Sequence, residues 1–119
     1  MTAHLIAIAV DCPPDQVSAL EEFWCAALGH RVARRWKDPK GVEYTELSGS
    51  GPMLVLQPVA EPKRAKNRLH LDLAADGDRD AEVTRLTGLG ARVVEAGPDL
   101  PWVVCADPAG NEFCVLPPR

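Results

Sequence analysis

The sequence predicts an α+β fold built from two tandem strand–helix–strand–strand–strand (βαβββ) units, and three observations predict it. One phrase occurs twice, as Ala26-Ala27-Leu28-Gly29-His30-Arg31-Val32 and as Thr87-Gly88-Leu89-Gly90-Ala91-Arg92-Val93. An alternating apolar run closed by aspartate precedes each copy, over 5–11 and 70–76. A glycine then leads into the last strand of each half, Gly51 and Gly110, 22 and 20 residues after the Leu-Gly glycine. Duplicated units tend to pair about a pseudo-two-fold axis, and ligand sites often form at such a seam. The positions where the copies differ are therefore the ones to read for function.

Each element has its own signal. Residues 4–11 alternate, with Ile6, Ile8 and Val10 on one face and Leu5, Ala7 and Ala9 on the other, as in a strand covered on both sides. Pro13 and Pro14 end it and suit the first turn of a helix. Val17, Leu20, Trp24, Ala27 and Leu28 recur at helical spacing, with Gly29 as the stop. Residues 30–36 and 42–48 read as strands joined by the turn Asp38-Pro39-Lys40-Gly41, and 53–57 as a fourth strand. The second half repeats the order. It has a strand at 69–75, a helix capped at Asp76 or Asp78 and stopped at Gly90, a strand at 91–96, and a hairpin of 101–106 and 111–116 across Asp107-Pro108-Ala109-Gly110. The chain reads as a single domain, 1–119, with unit 1 over about 1–58, a linker at 59–68 and unit 2 over about 69–119.

Composition excludes several classes. An apolar fraction of 46% is that of a soluble globular domain. The formal net charge of −4 argues against nucleic-acid binding, which needs a basic excess. No apolar run approaches the roughly 18 residues of a membrane span. The N-terminus has no signal-peptide pattern, and Cys12, Cys25, Cys105 and Cys114 form no C-x-x-C, so the expectation is reduced thiols in a cytoplasmic protein.

Three stretches carry a likeness to a known family. They are Leu20-Glu21-Glu22-Phe23-Trp24-Cys25-Ala26-Ala27-Leu28-Gly29, Asn67-Arg68-Leu69-His70-Leu71-Asp72-Leu73 and Asp107-Pro108-Ala109-Gly110-Asn111-Glu112-Phe113. In this order, on an internal duplication, the chain resembles the vicinal oxygen chelate superfamily, and within it the glyoxalase-like domain group. The resemblance implies a curled mixed sheet forming a cup, with the helices outside, and a homodimer. It implies no single activity, because the fold hosts lyases, dioxygenases, epimerases and binding proteins. Metal-dependent members hold a divalent ion with one residue from the first and last strand of each unit. Mapped by the repeat, these positions are Leu5, Val55, His70 and Cys114. Leu5 and Val55 offer no donor atom, and bringing in His4, Gln57 or Glu112 needs a different slip on different strands. The expectation is therefore no metal and no cofactor, with a divalent ion kept as an alternative.

The candidate site residues follow from parity. His70 and Asp72 are two apart on one strand and so share a face, opposite Leu69, Leu71 and Leu73. With Glu112, they are the expected catalytic groups: a general base, its orienting carboxylate and a second acid/base. Cys105 and Cys114 flank the Asp-Pro-Ala-Gly turn and are expected opposite each other, as two core residues or with Cys114 as a reactive thiol or ligand contact. Gln57, Trp36 and Trp102 complete the expected ligand-binding set, as a polar rim and an aromatic wall. Trp24 reads as core, and the basic run Lys63–Arg68 as a solvated linker or, alternatively, as a contact for an anionic ligand. The expected partner is a small molecule. Three readings stay open: a metal-independent enzyme using His70, a binding protein of the bleomycin-resistance type, and a metal-dependent lyase or dioxygenase.

Overall fold

The computed structural model describes residues 1–119, which form two compact units, Met1–Pro62 and Lys63–Arg119. The first runs β1 (Ile8–Cys12), a 3-10 turn at Pro14–Gln16, α1 (Val17–Leu28), β2 (Arg31–Lys37), β3 (Glu43–Ser48) and β4 (Leu54–Pro58). The second runs β5 (Leu71–Ala74), α2 (Arg79–Leu89), β6 (Arg92–Glu95), β7 (Val103–Ala106) and β8 (Glu112–Leu116). This is the α+β architecture of two tandem βαβββ units. Each unit is one mixed sheet, in the order β1-β4-β3-β2 and β5-β8-β7-β6. In both, the first strand pairs parallel with the last and the other pairings are antiparallel. No helix is long and apolar enough to cross a membrane.

The helices begin and end where their residues require. Pro13 is extended and Pro14 opens the 3-10 turn that leads into α1. Gly29 ends α1 at φ 69°, a left-handed conformation that costs a side chain energy and glycine little. Asp78, rather than Asp76, caps α2: its carboxylate accepts the Ala81 N–H at 2.9 Å. The apolar stripes face inward. Leu20, Phe23 and Trp24 of α1 are buried with Leu47, Leu54 and Leu56, and Phe23 meets Trp24 edge-to-face at 5.0 Å. In the second unit Leu86 of α2 is buried with Val103, Cys105, Phe113 and Val115. Burying each such side chain stabilises by about 1.5–3 kcal/mol.

His30 shows why Gly49 is glycine. Its Nε2–H donates to the Pro52 carbonyl at 2.9 Å, and its Nδ1 is buried without a partner. A Cβ on Gly49 would stand 2.4 Å from that nitrogen.

Several expected positions shift. The first strand starts at Ile8, four residues later than expected, and leaves Leu5 and Ile6 exposed. Pairing fixes this start: Ile8 N–H donates to Met53 O, and β4 begins at Leu54. The fifth strand likewise starts at Leu71, so Leu69 is exposed and His70 stands just ahead of the strand. Cys105 lies opposite Phe113, not Cys114. The five residues between Ala106 and Glu112 set a register in which Cys105 faces the core and Cys114 the other side of the sheet. No cysteine is in a disulfide. The segment expected as a linker is largely part of the second unit: Lys63 Nζ lies 2.9 Å from Glu112, and the Asn67 N–H donates to the same carboxylate at 3.1 Å.

Candidate functional site

The helix-free face of the second sheet carries the site. Its register places Asp72 opposite Cys114, Cys114 opposite Val104, and Val104 opposite Glu95. Directly paired residues share a face, so these four form one row across β5, β8, β7 and β6. A β-bulge between Val93 and Glu95 sets the end of the row. Uninterrupted pairing would put Val94 opposite Val104; the extra residue puts Glu95 there. Around this row lies a cavity of about 390 Å³, lined also by Lys66, His70, Trp102 and Leu116. Glu112 and Phe113 complete the lining.

Asp72 is the hub. Its carboxylate lies 3.2 Å from His70 Nδ1 and accepts a hydrogen bond from the Cys114 thiol. A carboxylate only accepts, so His70 donates through Nδ1; in the neutral imidazole the lone pair is then at Nε2. Burial raises the Cys114 pKa first, and the Asp72 charge and hydrogen bond raise it further against a smaller opposing pull from Lys66. Cys114 is thus a neutral thiol at neutral pH, a hydrogen-bond donor rather than a nucleophile.

Glu112 is engaged elsewhere. Burial would raise its pKa, but the Asn67 N–H and the Lys63 ammonium outweigh that and hold it below the ordinary value. An ionised carboxylate with two partners lacks a proton to donate.

Sequence reasoning named His70, Asp72, Glu112, Cys114 and Trp102, and all five line this one cavity. Gln57 and Trp36 belong to the first unit. Gln57 stands on β4 opposite Asp11, and Trp36 is stacked on Tyr44 with its indole N–H donating to Glu46 at 2.8 Å. Sequence reasoning missed Glu95, and it read Lys66 as part of a basic run that was chiefly a linker. Glu95 was legible through the repeat, since it stands as far after Leu89-Gly90 as Arg34 does after Leu28-Gly29.

The register also corrects the mapping of the metal positions. β1 pairs Ala9 with Val55 as β5 pairs Asp72 with Cys114. The first-unit counterpart of His70 is therefore Ala7, not Leu5. Ala7 and Val55 have no donor side chains. Within the second unit, the candidate ligand atoms of His70, Asp72 and Cys114 lie within 4.8 Å of one another.

Comparison with known proteins agrees with the fold. Trypanothione-dependent glyoxalase I of Leishmania major superposes with a TM-score of 0.70 at 16% identity, covering 98% of this chain and 87% of that one. The fosfomycin resistance protein FosX of Mesorhizobium loti gives 0.76 at 12% identity, over 98% and 92%. TnmS3, an antibiotic-binding protein from a Streptomyces species, gives 0.63 at 20% identity, over 99% and 98%. A Listeria monocytogenes FosX is complexed with Mn(II). No curated protein matches the sequence. The profile of the glyoxalase-like domain matches residues 7–116, nearly the whole of both βαβββ units, and the chain belongs to the glyoxalase-like domain family.

Proposed function

We propose that this protein binds a small organic molecule in the second-unit cavity and that His70 moves a proton on it. The observation that carries the reading is the His70–Asp72 pair at 3.2 Å within that cavity. Asp72 holds the imidazole in the tautomer whose Nε2 is basic. When Nε2 takes a proton from the bound molecule, the Asp72 charge stabilises the imidazolium, and the same proton returns to a different atom of the ligand in a net isomerisation. Glu112 has a positioning role here: it fastens the segment that carries Lys66 to the cavity edge. Of the compared proteins, an antibiotic-binding protein and a glyoxalase span the range from binding to catalysis.

The test is His70→Leu. An imidazole this exposed contributes little to the core, so the variant should keep a melting temperature within a few degrees of the wild type. It should lose turnover, and most of its affinity, for compounds found in a thermal-shift screen of small organic molecules. Unchanged affinity and turnover in the folded variant would end the reading. Retained affinity with lost proton exchange would leave His70 as the base, and binding without turnover in the wild type would leave a sequestration protein.

A second reading rests on the three close donors. His70, Asp72 and Cys114 together offer nitrogen, oxygen and sulfur, a set that suits Zn²⁺ or Co²⁺ better than Mn²⁺. Such an ion would supply Lewis acidity to a bound oxygen, and binding would have to drive the proton off Cys114. Cobalt titration decides: a sulfur-to-cobalt absorption band, lost in Cys114→Ser, favours this reading over the metal-independent one.

A further inference from the structure

The duplication provides an internal control for the cavity, because the two sheets can be compared position by position. The row Glu95–Val104–Cys114–Asp72 corresponds to Arg34–Glu46–Val55–Ala9 in the first unit, where a bulge after Val32 likewise sets the last residue. The first row satisfies its own charge: Arg34 Nε lies 3.0 Å from Glu46. In the second row Glu95 replaces the arginine, Val104 replaces the glutamate, and the Glu95 carboxylate makes no hydrogen bond or ion pair.

The aromatic residues differ in the same way. Two residues before Glu46 stands Tyr44, and two before Val104 stands Trp102. Trp36 covers Tyr44, with ring centroids 4.4 Å apart and planes 16° apart, and the Arg34 guanidinium lies 5.6 Å from the Trp36 ring. The counterpart of Trp36, two residues after Glu95, is Gly97. The counterpart position thus supplies no ring to cover Trp102, which lines the cavity with Glu95; the Arg79 guanidinium is engaged by the Leu100 and Pro101 carbonyls. The first unit builds a carboxylate, an aromatic stack and a cation from its own residues. The second has a carboxylate at the arginine's position, an apolar residue at the glutamate's and an aromatic ring without a stacking partner, so its row holds no cation. Lys66 is the one ammonium lining the cavity, against two carboxylates outside the Lys63–Glu112 pair.

We infer that the second-unit cavity selects an organic cation, an ammonium carried on an apolar or aromatic body, held between the Trp102 ring and the Glu95 carboxylate. The ligand supplies the charge that Arg34 supplies in the first unit. The face of an indole attracts a cation electrostatically, and a nearby carboxylate adds to that attraction. The inference rests on the reading that this cavity binds a small molecule, and it names the class.

The experiment uses three probes of similar size: benzyltrimethylammonium, its neutral carbon isostere neopentylbenzene, and phenylacetate. Amide and indole NMR shifts are followed in the full chain. The cation should move the Trp102 indole and the Glu95 amide and bind at least about tenfold more tightly than phenylacetate. Glu95→Gln should weaken the cation several-fold and leave neopentylbenzene unchanged, and Trp102→Leu should weaken both. Phenylacetate or neopentylbenzene binding the same residues as tightly as the cation would overturn the inference while leaving the cavity reading in place. So would a cation affinity indifferent to Glu95→Gln. Failure of all three probes to move any cavity residue would overturn both.

Discussion

Asp72 accepts from His70 and from Cys114, and this arrangement decides what each of the three groups does. It gives His70 a basic Nε2 and keeps Cys114 a thiol. The consequence for Cys114 is measurable. Its pKa is raised by burial first and by Asp72 second, so the thiolate is scarce at neutral pH. Mass-spectrometric mapping of iodoacetamide labelling should show Cys114 reacting more slowly at pH 7.5 than an unperturbed thiol. Its rate should climb only above the ordinary thiol range at about 8.5. Asp72→Asn should move that climb to lower pH, because it removes the charge that opposes ionisation. Fast labelling at pH 7.5 in the wild type would show that Asp72 does not hold the proton on sulfur.

Helix α2 depends on its ends more than on its stripe, since Leu86 is its only fully buried side chain. Asp78 satisfies an amide that would otherwise lack a partner, and Asp80 and Glu82 lie near the positive end of the helix dipole. Asp78→Ala should therefore cost about 1 kcal/mol, read as a fall in melting temperature of roughly 3–6 °C. Asp76→Ala should change little. Equal effects from the two would mean that the cap lies elsewhere. The strands behave differently. Their existence was legible from alternation, but β1 and β5 are shorter than the apolar runs that announced them. A strand extends only as far as its neighbour supplies hydrogen-bonding groups, so Leu5, Ile6 and Leu69 stay outside the ladder despite fitting the pattern.

Across the molecule, three carboxylates are held below their ordinary pKa. The Val42 N–H lowers Asp38, with the Tyr44 hydroxyl and Lys40 amide adding to it; Arg85 lowers Glu82; and the Asn67 amide and Lys63 outweigh burial at Glu112. A carboxylate with a depressed folded pKa binds fewer protons folded than unfolded. Its stabilisation is complete above the unfolded value near 4 and is lost as pH falls through the folded value. The urea midpoint should stay level from pH 7 to about 5 and fall below about 4.5, and Asp38→Asn should flatten part of that fall. A midpoint that rose between pH 4 and pH 3 would contradict the assignment. The same molecule divides its information between chain and fold. The sequence by itself determined the duplication, the βαβββ order, the helix stops at Gly29 and Gly90, and the sharing of one face by His70 and Asp72. Each of these is a local pattern, set by side-chain period and turn chemistry within a few residues. Tertiary structure decided the rest. The parallel pairing of β5 with β8 placed Cys114 beside Asp72, the odd-length hairpin loop turned Cys105 to the opposite face, the bulge at Val94 put Glu95 at the end of the row, and Glu112 tied Lys63 and Asn67 to the second unit. These depend on strand register, a long-range property in which a shift of one residue moves a side chain to the opposite face of the sheet.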